Sequence, residues 1–386
     1  MKRIYMDNSA TTPVSEAALK AMLPWFREEF GNPSAIYSYG QSGKNILEDC
    51  RKRVAKCLGA LPTEIFFTSG GTESDNWAVR SACRARGTKG RHIIASAIEH
   101  NAILRTLGQM EEDGFEVTYL QPDRLGRITP EQLEAAIRPD TILISIMLAS
   151  NVVGTVLDIA ALAKIAAKRR IWFHTDAVQA VGHIPVQAHA LGVDFLSLSA
   201  HKFGGPKGVG ALYCRMPNNL PPLITGGGQE KEHRSGTENI PGIVGMTTAL
   251  EEAVENMDEE RARLSALRDR IIAGACAIPG VELTGDPENR LPGFVSLTVD
   301  GIGHSVHVVN ALNEKGICVS SGSACSAASR EASHVLLALG YDAKKASGTL
   351  RITLGAENRS EEVDYLLSVL PELIMQQRTK AATTPF

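Results

Sequence analysis

From about residue 64 to residue 215, short strand-like runs alternate with helical patterns, and nothing else in the 386-residue chain restricts its fold so far. EIFFT leads to a helix from Glu73, HIIAS to a helix from Asn101, and EVTYLQ to a helix near Thr129. TILISIMLAS, the helical DIAALAKIAAKR, RIWFHTDA and FLSLSAHK follow. Short apolar runs that give way to a helical period predict a mostly parallel sheet covered by helices, an α/β fold. GVGALYCR is expected to add one strand at an edge of that sheet. Residues 217–243, rich in Pro and Gly, read as a long loop. Apolar residues from Leu250 to Ala275 then recur as on one long amphipathic helix, a bridge into a second domain. The remainder, to about Leu370, mixes strands and helices in α+β fashion, and RTKAATTPF reads as a frayed tail. The length itself calls for two domains, one of them large.

Composition excludes several classes of function. With 44% hydrophobic and 22% charged residues the chain is that of a soluble globular protein. A net charge of -3 leaves no electrostatic footprint for nucleic acid. No apolar run reaches the roughly 18 residues of a membrane span, and MKRIYMDNSATTP has no apolar core of a signal peptide. The seven cysteines form no C-x-x-C pair, which argues against a structural metal and for a reducing compartment, so a cytoplasmic location is expected.

In parallel sheets ligands bind beyond the carboxyl ends of the strands. Those ends carry SGGTES (69–74), EHN (99–101), SNVVG (150–154), HTDAVQ (174–179) and SAHK (199–202). Singly, each has a structural explanation: a Gly-rich turn, a helix-start His, an Asp N-cap, polar turn residues, a strand-end Lys reaching water. Together they fit pyridoxal 5'-phosphate, which needs an amine, a carboxylate against its ring nitrogen, an anion site and donors to its phenolic oxygen. Lys202 supplies the Schiff-base amine and Asp176 the carboxylate. The helix start at Gly71 and Thr72, with Ser199 and His201, surrounds the phosphate. His100 stacks on the ring, and Asn151 and Gln179 reach its phenolic oxygen. Cys325, in VSSGSACSAAS, lies in a run of small residues with little apolar bulk to bury a thiol, and an accessible thiolate is the reactive form.

MDNSATTPV, FGNPS, TSGGTESDN, EHNA, HTDAVQ, SAHKFGGPKGVGALY, HRSGTEN, SSGSACS and LRITLG follow one another along nearly the whole chain. In this series the sequence resembles a cysteine desulfurase of the NifS/IscS type, within the class V aminotransferase group of fold-type I pyridoxal phosphate enzymes. The resemblance implies a large cofactor-binding domain over 12–258 and a small domain of 1–11 and 259–386 that carries the cysteine. It implies L-cysteine as substrate, with Lys202 moving the α-proton and the Cys325 thiolate attacking the substrate sulfur. The products are then L-alanine and a persulfide on Cys325. By the same resemblance His100 is also an acid or base, Arg351 holds the substrate carboxylate, and Thr237 reaches the cofactor phosphate of the other subunit of a homodimer. Sulfur passes on to an acceptor protein, such as an iron–sulfur scaffold, or to transfer-RNA thiolation. An aminotransferase has no need of the cysteine run, whereas a selenocysteine lyase would use the same residues. The sequence departs from the family's frequent Asn-Asn-Glu-Gly pattern at Ser150, Asn151, Val152 and Val153, keeping the Asn that faces the cofactor.

Overall fold

The runs IFFT, HIIAS, TILIS and FLSLS are buried along their whole length, as strands covered on both faces must be. The computed structural model describes residues 3–322 and 332–383; Cys325 lies outside the described residues. After the two-residue β1 (Ile4–Tyr5) come β2 (Ile65–Thr68), β3 (His92–Ser96), β4 (Glu116–Leu120), β5 (Thr141–Ser145), β6 (Trp172–Asp176), β7 (Phe195–Ser199) and β8 (Gly210–Cys214). The last seven form one sheet in the order β2-β8-β7-β6-β5-β3-β4. Only β8 runs against the other strands.

That strand corrects the expectation of an edge position for GVGALYCR, because β8 is wedged between β2 and β7. Gly210 makes the wedge possible: a Cβ there would sit 2.5 Å from the Leu198 carbonyl oxygen and 2.7 Å from Gly70 Cα. The expected single helix after the loop is two, Ile240–Glu255 and Met257–Cys276, joined at Asn256. The frayed tail is likewise corrected as far as Thr383, since the last helix runs Ser360–Thr383; residues 384–386 lie outside the described residues. Arg378 holds that end by donating to the carbonyls of Asp300 at 2.8 Å and Pro279 at 2.6 Å.

The second part of the chain contributes β9 (Val281–Leu283), β10 (Phe294–Val299), β11 (Ile317–Cys318) and β12 (Thr349–Thr353). The strands β12-β10-β9 form an antiparallel sheet, and β1 pairs with β11. Two main apolar cores result. One fills the space around the large sheet, and the other gathers Ile271, Leu297, Leu350 and Leu366 together with Met6 from the start of the chain. A smaller cluster joins Ile98, Val152 and Val153 to Val335, Leu336 and Leu339. Among the described residues no helix is long and apolar enough to cross a membrane.

Candidate active site

The strand ends converge on one cleft of about 460 Å³, a size suited to a small organic ligand. It is lined by Gly71, Thr72, His100, Asn151, Asp176, Gln179, Ser199, His201 and Lys202, so nine of the residues singled out in the sequence meet there. Each is delivered by the end of a strand. Asp176 is the last residue of β6 and Ser199 the last of β7, and Lys202 closes the 3-10 turn Ala200–Lys202 that follows.

The turn after β2 forms a cradle suited to an anion. Gly70 has a φ of 147°, a conformation that favours glycine, and the helix Gly71–Arg86 begins without a side-chain cap. Its first-turn N–H groups therefore have no acceptor within the helix. A Cβ on Gly71 would meet Val178 Cγ2 at 2.6 Å, so the backbone comes closer to the cleft than any side chain would allow.

The floor is a set of buried acids. Donor atoms of Asp75, His100 and Asp176 lie within 4.8 Å of one another. Asp176 accepts the Val178 N–H at 2.9 Å. Burial pushes its carboxyl up, and the Val178 N–H and the Lys202 charge pull it partly back. Burial and the nearby Asp176 raise the Asp75 carboxyl well above its ordinary value. His174, between Ser145 Oγ at 2.8 Å and Ser197 Oγ at 3.0 Å, is driven down to about 3 by burial. It is thus a neutral imidazole, and its 3.5 Å approach to Asp75 is not an ion pair. A floor rich in carboxyl groups suits a ligand that presents a cationic N–H to Asp176, as a protonated pyridine ring does. The residues present fit pyridoxal phosphate on that ground and on the Gly70–Gly71 cradle.

His100 caps the helix Asn101–Glu112, its Nδ1 accepting the Ala102 N–H at 3.1 Å. With Nδ1 accepting there, the N–H of the ring that faces away from the helix is Nε2–H. Burial and the charges of Lys202 and Lys207 lower His201 to about 4.

The sequence reading gave no role to the segment Asp7–Thr12, yet it runs across the site. Lys202 Nζ donates to the carbonyls of Ser9 at 2.5 Å and Ala10 at 2.9 Å. Gln179 Nε2 donates to the same Ser9 oxygen at 2.9 Å, and His201 Nδ1 lies 3.1 Å from Thr11 Oγ1. Backbone carbonyls leave no residue-type signature; MDNSATTPV stood out only as part of the family resemblance. Arg351, on β12, stands behind the lining: its Nη1 donates to the carbonyls of Asn151 and Gly322, both at 2.7 Å. Thr237 is exposed and does not line the cleft, although its neighbour Arg234 grips Glu73 of the cleft wall at 2.8 Å. Val152 and Val153, where the sequence departs from the family pattern, are buried wall residues and not lining.

Residues 4–366 match the family model described as aminotransferase class-V. The cysteine desulfurase IscS of Methanosarcina thermophila is 50% identical over 385 residues, spanning 100% of this chain and 95% of that protein. A solved structure described as a NifS-like protein superposes with a TM-score of 0.91 at 39% identity, covering 97% of this chain and 100% of that one. Another, described as SspA in complex with cysteine, gives 0.81 at 38% identity, covering 91% and 98%. With identity of this order over essentially its whole length, the chain belongs to the class-V aminotransferase family, on its branch of IscS-type cysteine desulfurases.

Proposed function

We propose that the chain is a pyridoxal-phosphate-dependent cysteine desulfurase that converts L-cysteine to L-alanine and takes up the sulfur as a persulfide on Cys325. The observation that carries this reading is the meeting, in one cleft, of the Lys202 amine, the buried Asp176 carboxylate and an uncapped helix start at Gly71. The likeness to a structure described as holding cysteine supports the substrate. When bound, the cofactor supplies an electron sink for the substrate's α carbon. Asp176 would hold the proton of the ring nitrogen, and Gly71, Thr72, Ser199 and His201 would hold the phosphate. Lys202 would carry the α-proton, with His100 Nε2–H as a second proton source. Asn151 and Gln179 orient the ring, and Arg351 takes the substrate carboxylate. The Cys325 thiolate attacks the substrate sulfur, an S–S bond forms as the C–S bond breaks, and a proton replaces sulfur on carbon.

We further infer a homodimer in which Thr237 reaches the partner's cofactor phosphate. Support comes from exposed apolar side chains crowded into one stretch, among them Leu23, Phe26, Phe30, Ile36 and Tyr37, with Ile36 92% exposed. The two main apolar cores support a division into a large domain, 12–258, and a small one of 1–11 and 259–386. The acceptor is a protein that takes a persulfide sulfur, an iron–sulfur scaffold or a thiolation enzyme, in the cytoplasm. Loading with pyridoxal phosphate followed by borohydride reduction should fix the cofactor to the peptide containing Lys202. Retention of cofactor on another lysine would overturn the assignment.

A further inference from the structure

Arg351 is buried and touches three distant parts of the chain. Both Nη1 hydrogens go to backbone carbonyls, Asn151 and Gly322 at 2.7 Å. One Nη2 hydrogen goes to Asp7 Oδ1 at 2.9 Å. Nε is buried and, among the described residues, has no hydrogen-bond partner. Nε–H and the second Nη2–H therefore remain, on adjacent nitrogens, as the donors with which a guanidinium can grip a carboxylate in two-pronged fashion.

A substrate carboxylate seated there would be the second carboxylate on one guanidinium. Asp7 cannot withdraw easily: Asn8 N–H donates to the Thr353 carbonyl at 3.2 Å and Thr353 N–H to Met6 at 2.8 Å, which pins this segment to β12. Its charge then acts in two opposed ways. It orients Arg351, and it partly neutralises the guanidinium and repels an incoming anion. Substrate and product carry the same carboxylate, so a tight grip would be uniform binding that holds L-alanine as firmly as L-cysteine.

We propose that Asp7 is a positioning residue that sets how strongly Arg351 holds the amino-acid carboxylate, keeping that hold weak enough for product to leave. The inference rests on the reading of Arg351 as the carboxylate site. Asp7→Asn keeps an acceptor for Nη2–H while removing the charge, and the 17% exposure of the Asp7 side chain gives the new amide access to water.

The test is the dissociation constant of L-alanine, followed by the visible spectrum of the bound cofactor, with ethylamine as the counterpart that lacks a carboxylate. Asp7→Asn should bind L-alanine about tenfold more tightly, by the loss of one nearby charge at partial burial. Ethylamine binding should not change, and L-alanine should become a correspondingly stronger inhibitor of L-cysteine turnover. Asp7→Ala, which also removes the acceptor, should lose part of that gain. Unchanged or weaker L-alanine binding in Asp7→Asn overturns the proposal, provided Arg351→Gln still selectively weakens L-alanine relative to ethylamine. If Arg351→Gln weakens neither ligand selectively, the carboxylate-site reading fails first and the proposal falls with it.

Discussion

Glu99 has no access to water, and among the described residues only its Oε1 is hydrogen-bonded, by Ser96 Oγ at 2.6 Å and Met147 N–H at 2.8 Å. Burial, reinforced by the charge of Asp176, pushes its carboxyl up to about 8, against about 4.3 in an unfolded chain. Between these values the folded chain keeps a proton that the unfolded chain has released. The stabilisation is therefore complete below the unfolded value and is lost as pH rises through the folded one, at roughly 1.4 kcal/mol per pKa unit. Glu99→Gln should remove this slope, so its melting temperature should fall less than that of the wild type between about pH 5 and pH 8. Parallel curves for the two proteins would show that Glu99 is ionised in the fold. Residues of this kind mark the limit of sequence reading. Lys202 and Asp176 were legible because their side-chain chemistry is rare at a strand end, whereas the carbonyls of Ser9 and Ala10 are common to every residue type.

The helix His334–Ala338 shows how an element is held beside the site by its neighbours and not by its own propensity. It has only five residues, too few to stand alone. Val335 and Leu336 pack on Ile98, Val152 and Val153, and His334 Nε2 lies 3.2 Å from the Glu99 carbonyl. Val152, where the family often has Glu, and Val153 therefore form part of an apolar seat. Val153→Asn should lower stability by about 1–3 kcal/mol, because the amide finds no partner there. A denaturation midpoint equal to that of the wild type would contradict this packing. At this scale the parallel strands were legible, since their uniform apolar runs reflect burial on both faces. The place of β8 was not, because an antiparallel strand between two strands of opposite direction carries the same apolar signal as one at an edge; the distinguishing feature, Gly210 against Gly70, is a close approach between residues far apart in sequence.

Across the whole molecule, long-range ties join what the sequence separates. Met6 belongs to the second core while Ser9 and Ala10 meet Lys202 in the cleft of the large sheet, so the start of the chain joins the two. Arg51 and Glu230, both buried, pair at 2.7 and 2.8 Å, and Glu230 also accepts the Phe67 N–H at 2.9 Å. This anchor fixes the loop 217–243 where Glu230, Lys231 and Glu232 take left-handed φ values of 47°, 58° and 69°. Such a strained corner is held only when its surroundings dictate it. Neither tie was legible, since nothing local in the sequence pairs residue 51 with residue 230. The molecule assembled by these ties is proposed to be a desulfurase, and that is tested most directly by L-alanine release from L-cysteine. The cofactor-loaded wild type and Cys325→Ala should be compared with a reductant present, each protein being weighed by mass spectrometry after a single turnover without it. The wild type should release L-alanine and gain one sulfur atom on Cys325, while the variant does neither. Equal L-alanine release by both proteins, or none from the wild type, would contradict the assignment of sulfur transfer to Cys325.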